Sequence, residues 1–184
     1  MLVAGGFYGN ALTGMAIGGA LYAGGLALDI HAMRETGRIV VEALAIAGVI
    51  TTVTKSLTGR SRPFTEDGPW MFRAVQIDNL HLSFPSGHAT VAWAVSAVLA
   101  VRIDTPIASG VLYGLALATA FQRMDRDQHW ASDVLLGSAI GFSVGKAVVR
   151  MHDARVASAQ ASLEWDVAPL LGGERNGLAL SVRF

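Results

Sequence analysis

Five apolar stretches dominate this chain: Ala11–Leu28, Ile39–Thr54, Ala89–Val101, Ile107–Phe121 and Val134–Val149. Charge enters them only at Glu42 and Lys146. A helix that is apolar on every face has to be buried all round, in lipid or in protein. Each stretch is shorter than the roughly 20 residues of an upright membrane helix. Two arrangements are therefore open: short spanning helices extended by their flanks, or the buried helices of a compact soluble bundle. Of the 184 residues, 52% are hydrophobic and 15% charged. That leaves little polar surface to cover five such helices and favours the membrane. The expected fold class is all-α: a membrane-embedded bundle of about five apolar helices over residues 1–155, followed by a C-terminal tail over 156–184.

Small residues recur inside the stretches. Gly137, Gly141 and Gly145 stand every fourth residue, as do Gly14 and Gly18. On a helix that spacing makes one stripe against which a neighbouring backbone packs closely. Polar breaks separate the stretches at Asp29–Arg38 and at Asp104-Thr105-Pro106, where Pro106 suits a first helical turn. Thr58–Pro85 is the longest non-helical stretch, and a loop of that length is functional or disordered. Beyond Arg150 the pattern changes. Ala154–Ser162 reads as an amphipathic helical tail. Glu164–Leu171 and Leu178–Phe184 flank the turn Gly172–Gly177, which predicts a small β-hairpin.

Composition removes several function classes. The formal net charge is zero, so no general attraction to nucleic acid is expected. The chain has no cysteine, which excludes disulfides, thiolate catalysis and zinc–cysteine sites. Met1–Asn10 carries no basic residue, so any export signal is expected to be absent from this chain.

Polar residues gather in three clusters at the ends of the apolar stretches: Lys55 to Pro63, Pro85-Ser86-Gly87-His88, and Arg123 to Asp133. If the helices alternate across a membrane, the three meet on one face. Lys55, Arg60, Arg62, Arg73, Arg123 and Arg126 are then six of the fourteen lysines and arginines placed there. Cations with few local acids suit an anion with several oxygens. Ser86-Gly87-His88 opens a helix, where free N–H groups and the positive end of the dipole add attraction, and Gly87 allows close approach. Phosphate fits these donors. His129 and Asp133, four apart on one face of an opening turn, suit a histidine nucleophile oriented by a carboxylate. His88 suits a general acid. Neither a metal nor a cofactor is called for.

Lys55-(six)-Arg62-Pro63, then Pro85-Ser86-Gly87-His88, then Arg123-(five)-His129-(three)-Asp133 resembles the type-2 phosphatidic acid phosphatase superfamily. That superfamily contains lipid phosphate phosphatases, bacterial acid phosphatases and vanadium-dependent haloperoxidases. The resemblance covers about Ala43 to Arg150. It implies His129 as the phosphorylated nucleophile, Asp133 as its orienter and His88 as the proton donor to the leaving group. Lys55, Arg62 and Arg123 would bind phosphate oxygens, with Ser86 and Gly87. The family's usual serine before the third-motif arginine is Gln122 here, whose amide can still donate. The membrane branch has six spanning helices against the five counted, so either the N-terminal region is truncated or Met1–Asn10 lies at the interface.

Other polar groups read as structural. His31 and His152 are assigned no role, and His81 matches no motif. Arg60, Arg73 and Arg126 are expected to be solvated or interfacial, and Asp125 and Asp127 are too few for a metal site. Trp70, Phe72, Trp93 and Trp130 are read as interface anchors or core. Arg34, Arg38, Arg102, Lys146, Arg150 and Arg155 fall opposite the motif face, which predicts a bacterial inner-membrane protein with its site facing the periplasm or exterior. The expected substrate is a lipid phosphate: phosphatidic acid, phosphatidylglycerophosphate, a polyprenyl pyrophosphate or a lipid A phosphate. The competing readings are a soluble periplasmic acid phosphatase, a vanadate-dependent haloperoxidase and a non-catalytic lipid-phosphate binder.

Overall fold

The ends of each long helix fall where the sequence supplies a partner for the free backbone groups. The computed structural model describes residues 6–75, 77–161, 164–170 and 177–183. Asn10 opens α1 (Ala11–Ala27), its side chain accepting from the N–H of Leu12 at 2.8 Å. α2 (His31–Thr58) ends at Gly59, whose left-handed φ of 57° turns its N–H back to the Lys55 carbonyl at 2.9 Å. Ser86 caps α3 (Gly87–Ile103) by accepting from Ala89, and Thr105 caps α4 (Pro106–Asp125) by accepting from Ala108, with Pro106 in its first turn. α5 (Ala131–Ala161) opens with Asp133 accepting from the Trp130 N–H at 2.8 Å, an acid at the third position reaching back to the cap.

The expectation of about five helices apolar throughout is corrected. α2 and α5 run to 28 and 31 residues because their polar flanks are helical as well. These two are long and apolar enough to cross a membrane, whereas α1 and α3 are apolar but shorter. α4 carries Gln122, Arg123 and Asp125 in its last turn. A further helical turn at 6–8 precedes α1.

Contacts divide the chain into two units, Met1–Val149 and Arg150–Phe184. In the first, α3 is the buried centre. Its Ala94, Val95 and Val98 meet Ile39, Val40, Ala43 and Leu44 of α2 and Val148 and Val149 of α5. Small residues let the backbones close up. A Cβ added at Gly137 would overlap the Ser86 carbonyl, and one at Gly141 would overlap the Thr90 carbonyl. The stripe on α5 therefore presses its first turns against the start of α3, which fixes Asp133 beside Ser86. A main-chain bond from Ser86 N–H to the Asp133 carbonyl, 2.8 Å, completes the join. Tyr8 reaches Ser96 Oγ at 2.8 Å, and Ser96 donates to the Leu112 carbonyl at 2.8 Å, tying the N-terminal turn to α3 and α4.

In the second unit, Glu164–Leu170 (β1) and Gly177–Arg183 (β2) pair antiparallel with Val167 opposite Leu180. The expected turn of the hairpin, apart from Gly177, lies outside the described residues.

The segment between α2 and α3 is folded upon itself. Gly59–Arg62 is flanked on both sides by returning chain: Arg73 donates to Gly59 at 2.9 Å and Ser61 to Met71 at 3.1 Å on one side. On the other, Ser83 donates to Arg60 at 3.0 Å and Arg62 to Leu80 at 3.1 Å. Two 3₁₀ turns, Pro63–Thr65 and Asn79–His81, lie within the same segment.

Candidate active site

The three clusters expected from the sequence come together where α2 and α4 end and α3 and α5 begin. Lys55, in the last turn of α2, donates to the Leu82 carbonyl at 2.6 Å, just ahead of the Pro85-Ser86-Gly87-His88 run. Arg123 lies in the last turn of α4. His88 lies in the first turn of α3, within the electrostatic field of Arg123, His129, Lys55 and Arg62. Ser86 is fully buried, and its hydroxyl is engaged as the helix cap.

His129 sits two residues ahead of α5, so the expected single helical face shared with Asp133 is not the geometry found. Its Nδ1 lies 2.8 Å from the Ser83 carbonyl, which can only accept, so Nδ1 carries the proton and Nε2 the lone pair. Asp133 Oδ2 stands 3.7 Å from Nδ1, beyond a strong hydrogen bond, and accepts instead from the Ser83 hydroxyl and the Trp130 N–H. Ser83 thus links the two, its carbonyl on the imidazole and its hydroxyl on the carboxylate. Burial pushes the His129 imidazole down to about 4; Asp133 opposes the shift, while Lys55, Arg62 and Arg123 add to it. The ring is neutral at physiological pH. Burial also lowers Arg62, with Asp133 opposing, and its guanidinium remains a cation.

Arg60 corrects the expectation of a solvated charge. It is 5% exposed, and its Nη1 reaches Asp133 Oδ1 and, at 2.7 Å, Ser132 Oγ. Nε and Nη2 donate to the Pro69 carbonyl at 3.0 and 2.6 Å. The rings of Phe72, Phe84 and Trp130 surround the guanidinium at 5.3, 5.9 and 5.5 Å. Phe72 and Trp130 are therefore walls of a cation box, and the Trp130 indole donates to the Ser61 carbonyl at 3.0 Å. A buried carboxylate needs such a partner to remain charged. The alternation of arginines at 60 and 62 was the available signal: on an extended strand, neighbours two apart point the same way, but Arg60 is buried by the returning chain whereas Arg62 stays half-buried.

Gln128 was also missed. Its Oε1 accepts from Arg62 Nη1 at 2.9 Å and from Arg123 Nη2 at 3.4 Å, so one neutral dipole sits between two cations without cancelling either charge. Arg62 Nε is held by the Asn79 carbonyl at 2.8 Å. Arg123 Nε is buried and finds no hydrogen-bond partner among the described residues, a donor in need of an acceptor. Gln122 is buried with its carboxamide against Gly6 of the N-terminal turn. His81 pairs with Asp78 at 3.3 Å and His31 with Glu35 at 3.1 Å. Among the described residues no three His, Asp or Glu side chains converge as a metal site.

A family model described as the PAP2 superfamily matches residues 36–157, from the first half of α2 to the latter part of α5. A lipid A 1-phosphatase of Porphyromonas gingivalis is 38% identical over 66 residues, 35% of this chain and 15% of that protein. A decaprenylphosphoryl-5-phosphoribose phosphatase of Mycobacterium tuberculosis is 34% identical over 104 residues, 56% of this chain and 54% of that protein. The matches thus span about half of the mycobacterial relative and a smaller part of the other. The crystal structure of Aquifex aeolicus LpxE shares the fold, with a TM-score of 0.57 at 21% identity, covering 76% of this chain and 83% of that one.

Proposed function

The chain belongs to the PAP2 superfamily, and from that premise we propose that it is a membrane-embedded phosphatase acting on a lipid phosphate through a phosphohistidine. The observation that carries the reading is the set of Lys55, Arg62 and Arg123 around His129, whose Nδ1 is fixed by Ser83 so that Nε2 is the nucleophilic nitrogen. The two phosphatases named above support a phosphorylated lipid as substrate.

His129 Nε2 attacks phosphorus as the bond to the leaving oxygen breaks, and His88, which takes up a proton as the phosphate anion binds among the cations, gives it to that oxygen. Water then attacks the phosphohistidine, loses its proton to His88 and releases phosphate, returning His129 to its neutral form. Lys55, Arg62 and Arg123 hold the equatorial oxygens, and the N–H groups opening α3 add donors at the positive end of its dipole. No metal enters either step.

The membrane placement rests on the outer faces of the helices. Val49, Val53 and Leu57 of α2 and Ile107, Val111 and Phe121 of α4 are all more than half exposed. Contiguous apolar surface of that kind suits a lipid surround and argues against the soluble reading. The basic residues at 34, 38 and 102 lie at the helix ends away from the site, which supports an inner-membrane protein with the site facing the periplasm.

Inorganic phosphate released from a panel of lipid phosphates by detergent-purified protein, with EDTA present, tests the reading. Wild type should turn over at least one lipid, and His129→Ala should lose on the order of 10³-fold or more. Binding of labelled lipid without phosphate release by folded wild type would instead make the chain a non-catalytic binder.

A further inference from the structure

A cavity of about 250 Å³ opens beside the cation cluster and shares Lys55, Gly87 and His88 with it. From there it runs along α2 past Thr52 and Thr51 to Gly48. These positions recur at helical spacing on one face, and seven residues carry it about 10 Å along the helix axis. Ala11 of α1 and Val91 of α3 close the other sides. The Thr51 hydroxyl is turned aside to Thr90 Oγ1 at 3.2 Å, so it makes no demand on a ligand. Beyond Lys55 the lining holds no charge. The cavity is therefore polar where the phosphate would sit and apolar away from it.

Gly48 is the distinctive position in that wall. A Cβ built there meets nothing within 4 Å, so no packing requirement explains the glycine. This differs from Gly137 and Gly141, where neighbouring backbone leaves no room. A side chain at Gly48 would enter empty space along the groove and displace nothing in the protein.

We propose that this cavity receives the first methylenes of the aliphatic chain attached next to the phosphate, and that Gly48 is a specificity-determining residue that keeps its far end open. The proposal rests on the phosphatase reading and names the part of the substrate that this chain selects. Since His88 lines the cavity and is the proposed donor to the leaving oxygen, the group on that oxygen would lie toward the cavity, and an alkyl chain is the group that fills an uncharged groove continuous with an anion site. A longer chain buries more apolar area in it, up to the length the groove holds.

The test is phosphate release from butyl, octyl and dodecyl phosphate by wild type, Gly48→Ala and Gly48→Leu in the same detergent. The wild-type kcat/KM should rise with chain length. In Gly48→Leu the dodecyl-to-butyl ratio should fall tenfold or more, with Gly48→Ala between. An unchanged ratio in Gly48→Leu, whether or not both rates drop, would overturn the groove assignment and leave the phosphatase reading standing. Absence of release from every alkyl ester by wild type that still turns over a lipid phosphate would overturn the groove assignment alone; absence from the lipid panel as well would overturn both. As a second readout, dodecyl phosphate carrying a diazirine on an early methylene should label 48–52 in a His129→Ala background. Labelling confined to other segments would count against the groove.

Discussion

At the scale of single residues, the organising group is the Asp133 carboxylate, which serves three partners at once. It caps α5 through Trp130, neutralises Arg60 and accepts from Ser83. Its influence on His129 passes through Ser83 as well as through space. Arg60→Met keeps the aromatic box filled but leaves Asp133 as an uncompensated buried charge. It should cost about 3–5 kcal/mol of folding stability, read by denaturant unfolding in detergent, and Asp133→Asn in the same chain should recover part of that loss. A cost near zero would mean that Arg60 is not the partner keeping Asp133 charged. The low value for His129 gives a second prediction. Because the folded pKa lies below the unfolded value of about 6.5, the unfolded chain takes up the proton first. The contribution to stability is complete above that value and is lost as pH falls through about 4. An NMR titration of the His129 ring should show it neutral at pH 6; protonation near 6.5 would contradict the buried, cation-flanked geometry.

At the scale of elements, the site is a product of how helix ends are packed. Three glycines on α5 let its backbone touch α3, and that contact sets the distance between the His88 and His129 sides of the site. Gly141→Val should push the two helices apart, costing about 1–3 kcal/mol or more. The thermal midpoint should fall, and activity with it. A variant of wild-type stability would show that the stripe is not what holds the pair together. The loop between α2 and α3 makes a different contribution, since its strand-like segment covers Arg60 while Arg62 is left facing Gln128 and Arg123. Gln128→Ala should release both arginines, raising KM severalfold with a smaller effect on kcat, because the charges remain and only their placement is lost. A loss confined to kcat would assign Gln128 to the chemical step instead.

At the scale of the whole molecule, apolar surface and a buried polar site coexist in one short chain. The described helices turn large apolar side chains outward, while polar groups such as Ser83, Ser86, Gln122, His129 and Asp133 are almost wholly buried. Membrane fractions washed with alkaline carbonate should therefore retain the protein until detergent is added. Release by carbonate alone would favour the soluble bundle. The fold seen in Aquifex aeolicus LpxE shows that such a scaffold tolerates wide sequence divergence, at 21% identity.

Apolar stretches, turn residues and motif spacing are local properties, and they were enough to mark the helical cores and to nominate Lys55, Arg62, His88, Arg123 and His129 as candidates. Local pattern reports which residues a helix must bury and where it must stop. It does not report what a loop folds back onto. Arg60 read as surface because its partners, Asp133, Pro69 and three aromatic rings, come from separate segments. Ser83 and Gln128 were passed over for the same reason, since a serine or glutamine has no chemistry until something stands opposite it. The polar flank of α2 at His31–Arg38, read as a connection, continued as helix because backbone hydrogen bonding propagates past the apolar run that was visible, whereas the polar tail of α5 was legible as helix. The open space beside Gly48 belongs wholly to the tertiary structure: a missing side chain is legible in sequence, but a void exists only between elements that have packed.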